Sequence, residues 1–209
     1  MRIYSYPKWL KVLYPGSIWG FFRPKQKVLY LTFDDGPSLE STNWILNQLE
    51  QYNAKATFFC LGNQVKQLPE LYSKLIQKGN KIGNHSMSHP RGLRTKTKAF
   101  VYDVLEAQKL INSKLFRAPY GSLKFSQHKA LKKLGFTTVF WSYVTYDFAI
   151  DINIPLIISK MKKKVKSGDI IVFHDSAKAL PQLKQILPVA LKYYSEKGFS
   201  FDVLDENNF

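Results

Sequence analysis

Val28-Leu29-Tyr30-Leu31-Thr32-Phe33-Asp34-Asp35-Gly36-Pro37 is an apolar run that stops abruptly at two carboxylates and a turn pair. Val28 to Phe33 reads as a buried strand, and Gly36-Pro37 as the turn that leaves it. The same grammar recurs after Lys27. Strands are expected at Val28 to Phe33, Ala56 to Leu61, Lys81 to Gly83, Leu115 to Arg117, Thr137 to Trp141, Ile170 to Phe173 and Phe199 to Val203. Helices are expected between them at Glu40 to Tyr52, Pro69 to Lys78, Lys98 to Asn112, Gln127 to Leu134, Ile154 to Lys166 and Leu180 to Lys197. Ser38 is the expected cap of the first helix, and Gly79, Gly135 and Gly198 the left-handed residues that end later ones. Alternating strands and helices, with polar motifs at the strands' C-terminal ends, is the layout of an α/β fold of the β/α barrel type. A doubly wound open sheet alternates in the same way but carries a glycine-rich nucleotide turn after its first strand, where Asp-Asp-Gly-Pro stands here.

The chain of 209 residues suits one domain, 45% hydrophobic and 22% charged, without repeats. Its single cysteine, Cys60, excludes an intrachain disulfide and reads as a small buried residue. A formal charge of +16 favours anionic surroundings, yet no nucleic-acid reader motif accompanies it, so no nucleic-acid partner is expected. The lysines between Lys160 and Lys166 read as the wet face of a helix. Residues 1–26 interleave Arg2, Lys8, Lys11, Arg23 and Lys25 with Tyr4, Tyr6, Trp9, Tyr14, Trp19, Phe21 and Phe22. Two readings of this segment stand: packing on the domain or over a barrel end, which is the expectation, and a membrane-interface segment facing anionic lipid. Lys8, Lys11, Pro15 and Gly16 break any leader-like apolar stretch, so the expected place is the cytoplasm or the cytoplasmic face of the membrane. A monomer is expected.

The chemistry lies in four short segments. Asp34 and Asp35 are adjacent, and strand neighbours point to opposite sides, but leaving the strand can bring both to one cavity, where one binds metal and the other takes a proton. His85 and His89 stand four apart in Asn84-His85-Ser86-Met87-Ser88-His89, either on one helical turn or, with Gly83 and Pro90 flanking, in a tight loop. Two imidazoles and a carboxylate make a three-ligand set with a position open for water. His174 closes the run Ile170 to Phe173, and Arg117-Ala118-Pro119-Tyr120-Gly121 follows another strand. His128, on an expected amphipathic helix, reads as a surface residue.

In order along the chain, Thr32 to Pro37, His85 to His89, Arg117 to Gly121, Trp141 to Phe148 and Val172-Phe173-His174 resemble the five motifs of the polysaccharide deacetylases of the NodB-homology group, carbohydrate esterase family 4. Ala56-Thr57-Phe58-Phe59 with Gly62 adds to the likeness, which spans Lys27 to Val203. The resemblance implies a distorted (β/α) barrel of about seven strands over residues 27–209. It implies a metal-dependent hydrolase that removes N-acetyl groups from N-acetylglucosamine in a glycan or oligosaccharide. Asp35, His85 and His89 would hold the metal, with zinc the default and cobalt, nickel or manganese also accepted by such ligands. Asp34 would be the general base, paired with Arg117, and His174 the general acid, oriented by Asp147. The backbone N–H of Tyr120 would meet the oxyanion, with Pro119, Trp141 and Val172 at the substrate. The fourth motif departs from the frequent Asp-x-x-Asp-Trp: Val144 replaces its first acid and Phe148 its tryptophan. An O-acetyl esterase, a deformylase or deacetylase of a lipid-linked aminosugar, and an inactive glycan-binding module are the competing readings.

Overall fold

The computed structural model describes residues 10–21 and 26–205. Its strands are β1 Val28–Asp34, β2 Ala56–Cys60, β3 Lys81–Asn84, β4 Leu115–Phe116, β5 Thr137–Thr138, β6 Tyr143–Val144, β7 Ile170–His174 and β8 Ser200–Phe201. The helices are α1 Leu10–Leu13, α2 Thr42–Gln51, α3 Gly62–Gln67, α4 Pro69–Gln77, α5 Thr97–Gln108, α6 Phe125–Lys133, α7 Ile154–Lys164 and α8 Leu180–Glu196. All strand pairs are parallel, in the order β5-β4-β3-β2-β1-β7-β6, with β8 beside the first residues of β1. Among the described residues no helix is long and apolar enough to cross a membrane.

The two ends of that order, β5 and β6, are consecutive in sequence. Val139 N–H donates to Phe116 O of β4 and Ser142 N–H to Ile170 O of β7, so one extended run leaves one edge of the sheet and joins the other. The link spans at most about 18 Å when extended, which forces the edges together and curls the sheet into a distorted barrel. Ile18 lies along this seam, parallel to Val139, and Trp19 stacks on Phe140 with ring centroids 4.0 Å apart. Tyr14 donates to Leu123 O. The rest of the N-terminal reading, on Arg2, Tyr4, Tyr6, Lys8, Trp9, Phe22, Arg23 and Lys25, falls outside the described residues.

Alternation along the central strand sorts its side chains. Leu29, Leu31 and Phe33 pack outward with Ile45, Leu46 and Leu49 of α2 and Leu183 and Leu187 of α8. Val28 and Tyr30 face inward with Phe59, Leu115, Val139, Ile170 and Leu204. Period-two geometry then puts Thr32 and Asp34 on the inner side, at the C-terminal end. A strand covered on both sides reads as a nearly continuous apolar run, as β1 does.

Three expectations need correction, and one helix was not foreseen. Ser38 does not cap α2: its hydroxyl donates to Glu40, while Ser41 occupies the cap position and turns its own hydroxyl to Asp175. The expected strand Thr137 to Trp141 shortens to β5, Thr137–Thr138, because the chain then leaves β4 and crosses to β7, where the unforeseen strand β6, Tyr143–Val144, pairs. The helix α3 escapes periodicity reasoning because it is short and polar and begins at a glycine. His128 is 2% exposed, not a surface residue; its ring bonds Thr138 Oγ1 at 3.0 Å and Pro15 O at 3.3 Å, and burial lowers its pKa. The N-terminal segment covers the helix face that sequence alone would leave to water.

Candidate active site

Asp34 and Asp35 share one cavity because the chain turns at Asp35 itself, whose φ of 79° is left-handed. A non-glycine residue there costs about 1–2 kcal/mol, a strain that recurs at functional sites. Asp34, the last residue of β1, points inward and receives Nη1 of Arg117 at 2.8 Å. Arg117 is fully buried just past β4; it also donates to Thr32 Oγ1 (2.7 Å), Val139 O (3.3 Å) and Phe140 O (3.1 Å), and its guanidinium lies 4.1 Å from the centre of the Phe59 ring.

Asp35 faces the two histidines. Its Oδ1 lies 3.5 Å from His85 Nε2 and 3.2 Å from His89 Nε2, and one ligand atom from each of the three residues falls within 4.8 Å of the others. His85 Nδ1 is 2.9 Å from Arg117 O; a carbonyl only accepts, so Nδ1 carries the proton and Nε2 turns its lone pair to Asp35. Asp35 Oδ1 is buried with no hydrogen-bond donor. Burial opposes its charge, but the two imidazoles and His174 hold the carboxyl well below the usual carboxylate range. An ionised, donor-free oxygen beside two imidazole nitrogens is the donor set a divalent metal takes, so these residues fit one.

The His85–His89 segment is the tight loop, not the helical turn, with Ser86 (φ 72°) and His89 (φ 61°) both left-handed. Neighbouring elements hold it. Asp103 of α5 accepts from the amides of Met87 (2.8 Å) and Ser88 (3.1 Å), and Asn84 Oδ1 from Ser86 N (2.7 Å). The first amides of α3, Gly62 and Asn63, donate to Ser86 O and Met87 O. A side chain at Gly62 would collide with Met87 Sδ, which explains the glycine. Asp103 lies in α5 without any motif, so sequence reasoning passed over it.

Across the cavity, His174 is the register partner of Asp34 in β7. Its Nδ1 pairs with Asp147 Oδ1 at 2.8 Å and its backbone N–H donates to Asp147 Oδ2 at 2.8 Å. Burial pulls the imidazole's pKa down, but the Asp147 charge and hydrogen bond, with lesser help from Asp35 and Asp34, carry it up to about 9. Phe148 meets the His174 ring edge-on at 4.6 Å, so the departure from tryptophan leaves an aromatic wall in place.

Asp34, Asp35, His85, His89, Tyr120, Trp141, Val172 and His174 all line one cavity of about 470 Å³, joined by Val144, Tyr146, Phe148, Ser176 and Lys178. Arg117 and Asp147 stand buried behind the groups they bond, and Pro119 is buried and absent from the wall. Tyr120, with φ 60°, packs between His89, at 4.4 Å between ring centroids, and the Arg91 guanidinium, 4.3 Å from its centre. Asp175, which follows His174, ties the floor together. It accepts from Ser41 Oγ and Thr42 Oγ1, both at 2.6 Å, and its N–H donates to Asp34 O at 2.7 Å. Burial pushes its carboxyl up to about 7, against those two hydroxyls, and a Cβ at Gly36 would collide with it. One apolar wall, two polar strand ends and a three-ligand set suit hydrolysis of a small acyl group.

The sequence profile described as polysaccharide deacetylase matches residues 23–139. Among similar proteins, a peptidoglycan-N-acetylglucosamine deacetylase of Bacillus cereus is 32% identical over 188 residues, 87% of this chain and 88% of that protein. A chitooligosaccharide deacetylase of a Bradyrhizobium species is 33% identical, covering 70% of each chain. Among solved structures, a peptidoglycan N-acetylglucosamine deacetylase in complex with 4-naphthalen-1-yl-N-oxidanyl-benzamide superposes with a TM-score of 0.83 at 27% identity, over 95% of both chains.

Proposed function

Because this chain belongs to the polysaccharide deacetylase family, we propose that it hydrolyses the acetamide of N-acetylglucosamine units in a glycan, with Asp34 as base and His174 as acid. The observation that carries this reading is the pairing of Asp34 and His174 across β1 and β7, beside the Asp35-His85-His89 set. Amide hydrolysis needs an activated water, a stabilised oxyanion and a proton for nitrogen, since an amide anion is a poor leaving group.

A divalent metal held by Asp35, His85 and His89 supplies Lewis-acid activation of water and carbonyl when bound. Zinc is the metal we infer from the two imidazoles and one carboxylate. Asp34 removes the proton of the attacking water, while Arg117, locked by Thr32 and two carbonyls, keeps that carboxylate aimed into the cavity. The N–H of Tyr120 stabilises charge on the acetyl oxygen. Trp141, Val144 and Val172 form the apolar wall against which the acetyl methyl packs. His174 donates its Nε2 proton to the departing amine, with Asp147 fixing Nδ1. A positioned acid favours amides over O-acetyl esters, whose alkoxide leaving groups need it less.

The test is acetate release from N-acetyl chitooligosaccharides and peptidoglycan fragments by zinc-loaded protein. Release that stops on chelation and returns with metal is the expected result; no acetate from any N-acetyl sugar overturns the reading. For the ligand set, the expected outcome for His89→Ala is metal binding weakened by more than about 100-fold, since outer-shell partners alone are worth roughly 10–100-fold. Competition with a chromogenic chelator measures this, and unchanged affinity would remove His89 from the set.

A further inference from the structure

The catalytic cavity gathers the C-terminal ends of the parallel strands, so the strand starts and the ends of the returning helices share the opposite end of the barrel. Lysines crowd one side of that end. Lys162, Lys163 and Lys164 form the last turn of α7, with Lys166 just beyond, and all four are exposed. Lys162 Nζ lies 4.5 Å and Lys197 Nζ 5.3 Å from the centre of the Tyr193 ring on α8. Lys27, just before β1, donates its Nζ to Lys197 O at 3.0 Å. Asp169 and Glu196 sit among these lysines, each already engaged: Asp169 Oδ2 accepts from Lys166 N at 2.7 Å, and Glu196 pairs with Lys192 at 3.9 Å. A positive field remains.

The short helix α1 arrives at the same place. Burial raises the pKa of Asp169, just before β7, and the charges of Lys166 and Lys11 oppose it, so Lys11 of α1 lies near the foot of β7. Pro15 O accepts from Lys132 Nζ, in the last turn of α6, at 3.0 Å. Beside Lys11, Val12 is 81% and Leu13 47% exposed. Helix dipoles favour lysines at helix C-termini. They do not account for Lys27 before a strand, nor for two aliphatic side chains left in water.

We infer that this end of the barrel rests on an anionic lipid surface, with the lysines at the headgroups and Val12 and Leu13 entering the interface. Lysine ammoniums on flexible stems suit a diffuse sheet of charge, whereas reading of single phosphates favours the arginine fork. Exposed aliphatic side chains beside them favour a bilayer over a soluble polyanion, because only the bilayer offers an apolar layer beneath its charge. The strand β1 sets Lys27 and Asp34 roughly 20 Å apart, so a barrel lying on this end keeps its catalytic cavity open on the side away from the lipid.

The experiment is co-sedimentation of the full chain with vesicles of phosphatidylcholine, alone or mixed with phosphatidylglycerol, and with inorganic polyphosphate as the soluble polyanion. Binding at least about tenfold tighter to the anionic vesicles is expected, falling as salt is raised, because each lysine close to such a surface is worth about fivefold. Lys162→Gln, Lys163→Gln and Lys166→Gln together should weaken it by at least about 20-fold, while Lys66→Gln, Lys96→Gln and Lys98→Gln, the same charge taken from the catalytic end, should change it by less than about threefold. Val12→Ser with Leu13→Ser should weaken it by about tenfold, through lost apolar burial. All the substituted side chains are exposed, and unchanged thermal melts verify the fold. Equal affinity for neutral and anionic vesicles, no binding to either, or equal losses from the two lysine sets would overturn the proposal. So would polyphosphate bound as tightly as the vesicles with the Val12 and Leu13 substitutions silent, which would assign the lysines to a soluble polyanion.

Discussion

Asp34→Asn is expected to lower kcat by about 10²–10⁴-fold while the metal content of the protein stays unchanged, the range lost when a positioned general base is removed. Asparagine is nearly isosteric and its carbonyl oxygen still accepts from Arg117 Nη1, but it cannot take a proton from water. Arg117 keeps Thr32 Oγ1 and the carbonyls of Val139 and Phe140, so the barrel survives the change. Asp34→Ala differs, because it removes the carboxylate from a fully buried guanidinium and should cost about 3–5 kcal/mol of stability. Kinetics, elemental analysis and thermal melts on both variants separate the roles. An Asn variant with full activity would remove Asp34 from the base role. One that loses its metal would make Asp34 a ligand instead.

His174→Ala is expected to lose about 10²–10⁴-fold on an N-acetyl sugar but less than about tenfold on an activated aryl acetate, whose leaving group needs no proton. Equal losses on both substrates would argue against acid catalysis. The pH profile supplies the second half of this prediction. The acid must be protonated to act, so amide turnover falls as pH rises through its pKa, which Asp147 holds above the ordinary imidazole value and which reaches about 9 without metal. A bound dication would offset the lesser support from Asp35 and Asp34, so the limb of the metal-loaded enzyme is expected below about 9. Asp147→Asn removes the larger support and should move the same limb to lower pH still, and an unmoved limb would detach Asp147 from the acid. The raised pKa also couples the pair to folding: its stabilisation is complete below the unfolded value of 6.5 and is lost as pH rises through about 9.

The motifs were legible because each is local. Thr32 to Pro37 carries its strand, its carboxylates and its turn within a few residues, and His85 to His89 carries both imidazoles. His128 shows where that ends. Its helix was readable, but the face it turns to Pro15 is set by a segment 113 residues away. The same holds for Asp103 and Asp175: one lies on an unremarkable helix and the other looks like a turn residue, and only the folded chain brings them under the histidine loop and the Asp35 turn.

By itself the sequence determined the chemical groups and their placement at strand ends, because period-two alternation and turn residues are properties of neighbours in the chain. It also excluded a disulfide, having one cysteine. Only the tertiary structure decided which groups meet. Asp34 finds Arg117 83 residues away, His174 finds Asp147 27 residues away, and Ser41 finds Asp175 134 residues away. Those pairings depend on strand order and register, and on the run from β5 to β6 that curls the sheet. Such long-range contacts form only when the whole hydrophobic core closes, so no local pattern encodes them.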